Sequence, residues 1–239
     1  AVAARTFTLR QLASGKHDGY LCAEAACCQA WLSPEEAQAR LGEAYEAWYA
    51  RCRQAVAATD GLVLTYQDKF IEATYFSCSG GRTEAAVAVW GGEVPYLVAV
   101  DSPGEENAPR YHETKTWTAA AFRALVSAAL PELSLSGPPE DWFGAVAYTD
   151  GGGVATMELG GQALTGASLR TLLGLNSTQF TVAVDGETIR IDTYGFGHRV
   201  GMSQYGANAM AREGADCAAI LAHYYPGTTL AAADVKDSA

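Results

Sequence analysis

The sequence has no long apolar run and little positive charge. No segment approaches the ~18 to 20 consecutive apolar residues of a transmembrane helix, and no basic, apolar signal pattern opens the chain. Its 239 residues include 16 Lys and Arg against 27 Asp and Glu, which gives a net charge of -11. A surface of this sign repels polyanions, so nucleic acid and anionic membrane surfaces are excluded as expected ligands.

Signatures of several large enzyme classes are also absent. The chain contains no Gly-x-Ser-x-Gly elbow, no Walker phosphate loop and no dinucleotide-binding fingerprint. Its six cysteines are unevenly spaced, three within seven residues and three isolated: Cys22, Cys27 and Cys28, then Cys52, Cys78 and Cys217. This is not the even spacing of a small disulfide scaffold. We expect the isolated three to be core or near-core residues unless two of them pair.

Helix signals dominate the first sixty residues. Residues 1–9 read as helix interior without a cap, so we expect the chain to begin inside or just before a helix, with a naturally frayed terminal helix as the alternative. Ser33-Pro34-Glu35-Glu36 combines a cap, a first-turn proline and acidic residues, and predicts a long helix to about Ala58. Apolar residues at spacings of three and four predict one buried stripe on it, at Leu41, Ala44, Tyr45, Trp48 and Cys52.

The remainder mixes strands and helices without regular alternation. Strand-like runs fall at 62–66, 70–77, 145–149, 154–159, 180–184 and 188–192, with turns at Gln67-Asp68 and Asp185-Gly186. Helices are predicted at 118–130, 168–173, 203–212 and 217–223, and residues 79–109 are predicted to be mostly ordered loop. The expected class is α+β. As a domain division we predict an inner lobe at about 60–190, a core lobe formed by 1–59 and 191–230, and a tail at 231–239.

The first candidate site is His17-x4-Cys22-x4-Cys27-Cys28. Imidazole and thiolates are ligands that zinc prefers, and four of them complete the closed tetrahedral shell of a structural site. The alternatives are a disulfide between Cys22 and Cys27 or Cys28 in an oxidising compartment, or unpaired thiols. The adjacent pair is the least favoured disulfide because it would be strained.

The second candidate site is the glycine-rich segment from Gly195 to Ala207. Its glycines allow backbone conformations that let four polar side chains converge where a loop enters a helix: His198, Ser203, Gln204 and Tyr205. Such a group suits sugar hydroxyls. On chemistry alone, a hydrogen-bonded structural histidine and a serine that merely caps the helix are the favoured alternative.

The third candidate site is Ser79-Gly80-Gly81-Arg82-Thr83-Glu84, which offers hydroxyls and backbone donors in a turn. Trp90 and Tyr96 follow as rings that could stack on sugars, because aromatic faces suit the CH faces of pyranoses. Most aromatic residues are instead part of a core. The predicted binding residues of this segment are Ser79, Gly80, Gly81, Thr83 and Trp90.

Taken together, these segments resemble the stage II sporulation protein D (SpoIID) family of peptidoglycan lytic transglycosylases. The resemblance covers nearly the whole chain and is most specific in the tail, from Gly-His-x-Val-Gly-Met-Ser-Gln-Tyr-Gly-Ala to Ile220-Leu221-Ala222-His223-Tyr224-Tyr225-Pro226-Gly227. It also includes 1–9, 22–29, 79–84, 90–92 and 166–180. Two positions depart from the family pattern: Arg199 stands where glycine is usual, and Cys27 where zinc-binding members often have His.

The resemblance implies cleavage of the bond between N-acetylmuramic acid and N-acetylglucosamine in glycan strands stripped of stem peptides. A single carboxyl group of raised pKa protonates the leaving oxygen and assists the sugar's 6-hydroxyl, giving a 1,6-anhydro product. No second, nucleophilic carboxylate is needed. The resemblance also implies structural zinc at His17, Cys22, Cys27 and Cys28.

The family's catalytic glutamate falls about six residues before the position that matches Ala1, so no residue of this chain, Glu84 and Glu158 included, is assigned as the general acid. The chain as given is therefore expected to be inactive by itself. Arg5 would lie one to two helical turns from that acid and is a candidate near the site. The expected location is extracytoplasmic, secreted or anchored by an upstream membrane segment. The alternative function is a non-catalytic glycan-binding module that stimulates a cell-wall amidase or other wall hydrolase.

Overall fold

A computed structural model describes residues 1–24 and 27–233. Its α-helices are α1 (Val2–Ala13), α2 (Pro34–Leu41), α3 (Tyr45–Ala58), α4 (Ala86–Trp90), α5 (Ala119–Ala129), α6 (Gly166–Leu173), α7 (Gln204–Arg212) and α8 (Cys217–Tyr224). Two 3-10 turns lie at Gly42–Ala44 and Pro139–Asp141.

The strands are mostly antiparallel and form several small sheets. They are β1 (Leu62–Tyr66), β2 (Lys69–Phe70), β3 (Tyr75–Phe76), β4 (Gly81–Arg82), β5 (Asp101–Ser102), β6 (His112–Thr118), β7 (Phe143–Tyr148), β8 (Val154–Leu159), β9 (Gln162–Thr165), β10 (Gln179–Asp185), β11 (Thr188–Tyr194), β12 (Met202–Ser203) and β13 (Thr229–Ala232). The predicted α+β class is confirmed.

Contacts divide the chain into two compact units, the first comprising Ala1–Thr74 with the chain from Gly227, and the second Tyr75–Pro226. The boundaries between these units fall at 74/75 and 226/227, whereas the predicted lobe boundaries lie near 60 and 190. The lobe division at 1–59, 60–190 and 191–230 stays a prediction about domains.

The first unit is organised around the sheet β13-β1-β2. The Thr6 hydroxyl of α1 donates to the Val2 carbonyl and accepts from the Leu64 amide, both at 2.9 Å. This fixes α1 against β1 through a buried threonine. Gln67 and Asp68, with φ of 50° and 60°, make the predicted turn between β1 and β2. Two left-handed residues in succession suit a tight hairpin because they match the twist of the strands.

The predicted long helix after Ser33 is two helices. Ser33 and Glu36 form the predicted capping box, but the chain leaves helical geometry at Gly42, whose φ is 53°. The prediction of one buried stripe is wrong, because only Tyr45 of its five members is buried, and Trp48 keeps 38% of its surface exposed. Spacing of apolar residues identifies a helix face, but it does not supply the partner that would cover it.

The second unit has its hydrophobic core between the sheets β10-β11-β6 and β7-β8-β9 and the helices α5 and α6. Phe122 of α5 and Trp142 stack at 6.2 Å, and both are almost fully buried. Thr118 and Thr165 cap α5 and α6 through their side chains.

The strands β6, β9 and β13 were not predicted. Cys78 is buried, as expected, but the prediction of a core or near-core Cys217 is wrong, because it is exposed.

Candidate functional site

The loop after α1 brings together the four predicted metal ligands. One donor atom from each of His17, Cys22, Cys27 and Cys28 lies within 4.8 Å of the others. The His17 Nε2 atom is 3.2 Å from the Cys27 sulfur. The three cysteines and the histidine therefore face one point, and none of these cysteines is in a disulfide.

Two glycine-rich segments of the second unit, 79–84 and 195–205, are joined into one structure. Two isolated backbone β-bridges connect them, one between Cys78 and Phe196 and one between Glu84 and Val200. Gly195 approaches Ser79 so closely that a Cβ atom there would lie 2.6 Å from the Ser79 carbonyl oxygen. Its φ of 77° also requires glycine. The second and third candidate sites of the sequence are thus a single site.

A buried carboxylate, Glu105, holds the turn at Ser79. Its Oε2 atom accepts from the Ser79 amide at 2.7 Å, the Ser79 hydroxyl at 2.8 Å and the Gly80 amide at 3.0 Å. Its Oε1 atom accepts from the Ser102 hydroxyl at 2.7 Å, which in turn lies 2.6 Å from the Tyr224 hydroxyl. Four donors satisfy this carboxylate, so its role is to fix the backbone of the turn.

A second buried carboxylate, Glu84, pairs with Arg199. The Arg199 Nη1 atom is 3.1 Å from the Glu84 Oε1 atom, and both side chains are at most 1% exposed. Arg199 also donates to three backbone carbonyls, those of Ser79 at 2.6 Å, Arg82 at 2.9 Å and Gly151 at 2.6 Å. Burial lowers the pKa of Arg199 to about 10, so it stays charged at neutral pH. The arginine therefore ties both glycine-rich segments to the loop at 149–153.

His198 lies in the same segment between two aromatic rings. Its ring centre is 5.6 Å from that of Phe76 and 5.4 Å from that of Trp90. Its Nδ1 atom accepts from the Val200 amide at 3.1 Å, and the ring also hydrogen bonds to the backbone of Tyr75. These contacts favour the interpretation of His198 as a hydrogen-bonded structural residue. The exposed Trp90 ring packs against it.

The pH dependence of stability is expected to report on His198. Burial lowers its pKa to about 4, below its ordinary value of 6.5. The unfolded state therefore takes up the proton first, so the stability due to the neutral ring is fully present above pH 6.5 and is lost as the pH falls towards 4. We expect the wild type to lose up to about 3 kcal/mol more than His198→Phe over this interval.

Chemical denaturation at several pH values measures this difference, since other titrating groups contribute equally to both proteins. Parallel pH profiles for wild type and His198→Phe would contradict the assignment of a neutral, buried ring.

The other predicted binding residues differ in their exposure and in their hydrogen bonds. The Ser203 hydroxyl caps α7 by accepting from the Gly206 amide at 3.2 Å and donates to the Ser77 carbonyl at 3.3 Å. Gln204 is exposed and Tyr205 half-buried. The Thr83 hydroxyl accepts from the Val100 amide at 2.8 Å. Trp90 leaves half of its surface exposed.

Arg5, placed near the site by the resemblance, belongs to the first unit. Its Nη1 atom donates to the carbonyls of Thr59 at 2.6 Å and Leu62 at 2.8 Å. These bonds tie α1 to the end of α3 and the start of β1. A role for Arg5 in binding stays a prediction.

Sequence reasoning missed Glu105, Ser102 and Tyr224, which position the turn at Ser79. Ser102 and Glu105 lie in a segment predicted to be loop, and Tyr224 was noted only as part of the family pattern, so only the fold brings the three together. The Arg199 position carried a signal in the sequence, because it stands where the family usually has glycine. Its φ of 65° is the left-handed conformation that glycine favours.

Comparisons with known proteins agree with these features. A family model described as "SpoIID: Stage II sporulation protein" matches residues 1–66. Stage II sporulation protein D of Bacillus subtilis (strain 168) is 41% identical over 238 residues, which cover 98% of this chain and 68% of that protein. The protein of the same name from Bacillus amyloliquefaciens is 39% identical over 239 residues, covering 98% and 67%.

An amidase enhancer of Bacillus subtilis (strain 168) is 29% identical over 231 residues, covering 77% of this chain and 33% of that protein. The chain with this α+β fold and these joined glycine-rich segments is therefore one of the bacterial sporulation proteins as a class. Within that class, the chain belongs to the stage II sporulation protein D (SpoIID) family.

Over residues 1–24 and 27–233, none of the helices has the length and apolar character needed to cross a bilayer.

Proposed function

We infer that this protein is a peptidoglycan lytic transglycosylase that cleaves the bond between N-acetylmuramic acid and N-acetylglucosamine in denuded glycan strands. The observation that carries this inference is 41% identity to a stage II sporulation protein D along 98% of the chain. The reaction would release 1,6-anhydro-N-acetylmuramic acid ends. Its setting would be the cell wall during sporulation, outside the cytoplasm, with the protein secreted or anchored by an upstream segment.

The joined segments 79–84 and 195–205 supply the proposed sugar-binding surface. The backbone of Gly80 and Gly81 is partly exposed and can bond sugar hydroxyls, and the half-exposed Trp90 ring, packed against His198, suits a pyranose face. The hydroxyls of Ser79, Thr83 and Ser203 are buried and bond within the protein. Because Glu105 and Arg199 hold this surface in place, it loses little freedom on binding.

The resemblance assigns the general acid to a glutamate N-terminal to Ala1. In the proposed step that acid protonates the glycosidic oxygen as the bond to C1 breaks, and then takes the proton of the 6-hydroxyl as its oxygen bonds to C1. Glu84 and Glu105, the fully buried carboxylates of the second unit, are unsuitable because each is already engaged by structural donors.

A structural zinc ion is proposed for the loop after α1. Two thiolates bound tetrahedrally at about 2.3 Å from zinc lie about 3.8 Å apart, so donor atoms within 4.8 Å of one another fit the ion after small movements. Hydrogen bonding to the Glu24 backbone lowers the pKa of the Cys22 thiol and favours its thiolate. His17, Cys22, Cys27 and Cys28 would complete the shell, so the ion would stabilise the loop and activate no water.

The second candidate function is that of a glycan-binding module that stimulates a wall amidase. Similarity to the amidase enhancer of Bacillus subtilis favours it. It requires the binding surface but no general acid.

The two functions are separated by incubating denuded glycan strands with the 239-residue chain and with a chain extended N-terminally through the expected glutamate. We expect only the extended protein to release 1,6-anhydro products, detected by mass spectrometry, and its Glu→Gln variant to bind strands without cleaving them. If the extended protein binds strands but releases no such product, the binding-module function is supported instead.

A further inference from the structure

The three-stranded sheet β10-β11-β6 has one face in the core and one open face. On the core side, Ile189 and Ile191 of β11 are fully buried. The opposite side, here called the outer sheet face, includes His112, Thr114, Thr181, Arg190, Asp192 and Tyr194. All but Asp192 and the half-buried Tyr194 are exposed. A polar open face is usual for an antiparallel sheet, so the arrangement of these groups decides whether it can bind a ligand.

Asp192 organises the centre of this face. Its Oδ1 atom accepts from the Thr114 hydroxyl at 2.6 Å and lies 3.2 Å from the His112 Nε2 atom. Its Oδ2 atom is 2.9 Å from the Arg190 Nε atom. The Thr114 hydrogen bond, with Arg190 and His112, lowers the pKa of Asp192, whose side chain is only 11% exposed. An anchored carboxylate therefore fixes the orientation of the arginine and the histidine.

Arg190 uses its Nε atom for this contact and is 58% exposed. Among the described residues, its two terminal nitrogens have no protein partner. The fork of an arginine is suited to a carboxylate because two parallel N–H groups can bond both oxygens. Arg190 thus presents an anchored, solvent-facing donor pair for an anion.

An aromatic platform lies at the other end of the face. The rings of His112 and Tyr194 stack at 4.7 Å, and Tyr111 meets Tyr194 edge-on at 6.3 Å. Along β11, Tyr194 lies four positions after Arg190, and the His112 ring reaches between them, because His112 and Arg190 contact the two oxygens of the same Asp192 carboxylate. The face therefore offers a ring platform next to an anion-binding arginine, so that one sugar and its carboxylate substituent can contact both.

The platform continues into the turn at Ser79. Gln179, opposite Tyr194, donates from Nε2 to the Gly80 carbonyl at 3.4 Å. A Cβ atom on Gly80 would meet the Tyr194 Cβ atom at 3.1 Å. A glycan bound along the turn can extend onto the outer sheet face without leaving the protein surface.

We propose that the outer sheet face is an additional glycan subsite, in which His112 and Tyr194 support a sugar ring and Arg190 binds the free carboxylate of a muramic acid. This proposal rests on the proposed function. Muramic acid has a free lactyl carboxylate only where its stem peptide has been removed, because the peptide is attached there as an amide. Arg190 is then the residue that selects stripped strands over peptide-bearing ones.

The test compares three probes: denuded glycan fragments, the same fragments with stem peptides, and neutral N-acetylglucosamine oligomers of equal length. Affinities are measured by calorimetry for wild type, Arg190→Gln and the control Arg212→Gln, which removes an equal charge from the exposed end of α7. We expect Arg190→Gln to bind denuded fragments about tenfold more weakly, with unchanged affinity for the other two probes. Arg212→Gln should bind all three as the wild type does.

A second variant, Tyr194→Leu, is expected to weaken binding of all three probes, since it removes the ring platform. If the wild type binds denuded fragments and Arg190→Gln binds them with the same affinity, the proposed subsite is overturned, but the proposed function is not. Absence of any binding by the wild type would overturn both. Equal weakening by Arg190→Gln and Arg212→Gln would also overturn the subsite, because it would reveal only a general effect of charge.

Discussion

Replacement of Arg199 by methionine is expected to lower the free energy of unfolding by about 3–5 kcal/mol. The substitution leaves the Glu84 carboxylate buried without its cation and removes donors from three backbone carbonyls. An unpaired buried charge costs far more than the pair contributed, which is why the loss is large. Urea denaturation followed by circular dichroism measures it.

Two further variants separate the charge from the packing. Adding Glu84→Gln to Arg199→Met should recover part of the lost stability, because the uncompensated charge is gone. The control Arg53→Met changes an exposed arginine of α3 and should stay within about 0.5 kcal/mol of the wild type. A similarly small loss for Arg199→Met would show that the buried pair does not support the fold.

Removal of the proposed zinc ion is expected to lower the melting temperature by about 10 °C. An ion present at a thousandfold excess over its Kd contributes about 4 kcal/mol, and each kcal/mol shifts the melting temperature of a protein of this size by about 2–4 °C. The reduced protein should contain one zinc per chain by mass spectrometry of the metal, and a strong chelator should remove both the zinc and the added stability.

Substitutions define which cysteines are ligands. Cys28→Ser should lose the metal, whereas Cys217→Ser, at an exposed thiol outside the cluster, should retain it. A chain that holds no zinc and is lighter by two protons, with a Cys22 disulfide in its peptide map, would favour the disulfide alternative.

Local signals in the sequence predicted much of the fold. The capping box at Ser33 and the turn at Gln67-Asp68 are formed by residues close in sequence, and each was found in the expected place. The short strand β13 was missed because its pairing with β1 depends on distant residues. The prediction of a buried stripe on the long helix was wrong for the same reason, because the spacing of apolar residues does not show which part of the chain packs against them.

The candidate site was predicted in its parts but not in its assembly. The two glycine-rich segments were both selected from sequence, yet their union depends on Arg199, Glu84 and Glu105, whose partners lie up to 120 residues away. The same fold also showed that His198 and Ser203 have structural hydrogen bonds. The outer sheet face was not predicted, because β6 itself was not recognised.

The pairing of β13 with β1 also orders events during synthesis. Thr65 and Thr229, partners across this pair, are 164 positions apart, so the first sheet is complete only after residues 229–232 have left the ribosome. Residues 75–226 are contiguous and need no such delay. The nascent chain is therefore expected to hold β1 with one unpaired edge while the second unit folds, which leaves that edge open to misassembly.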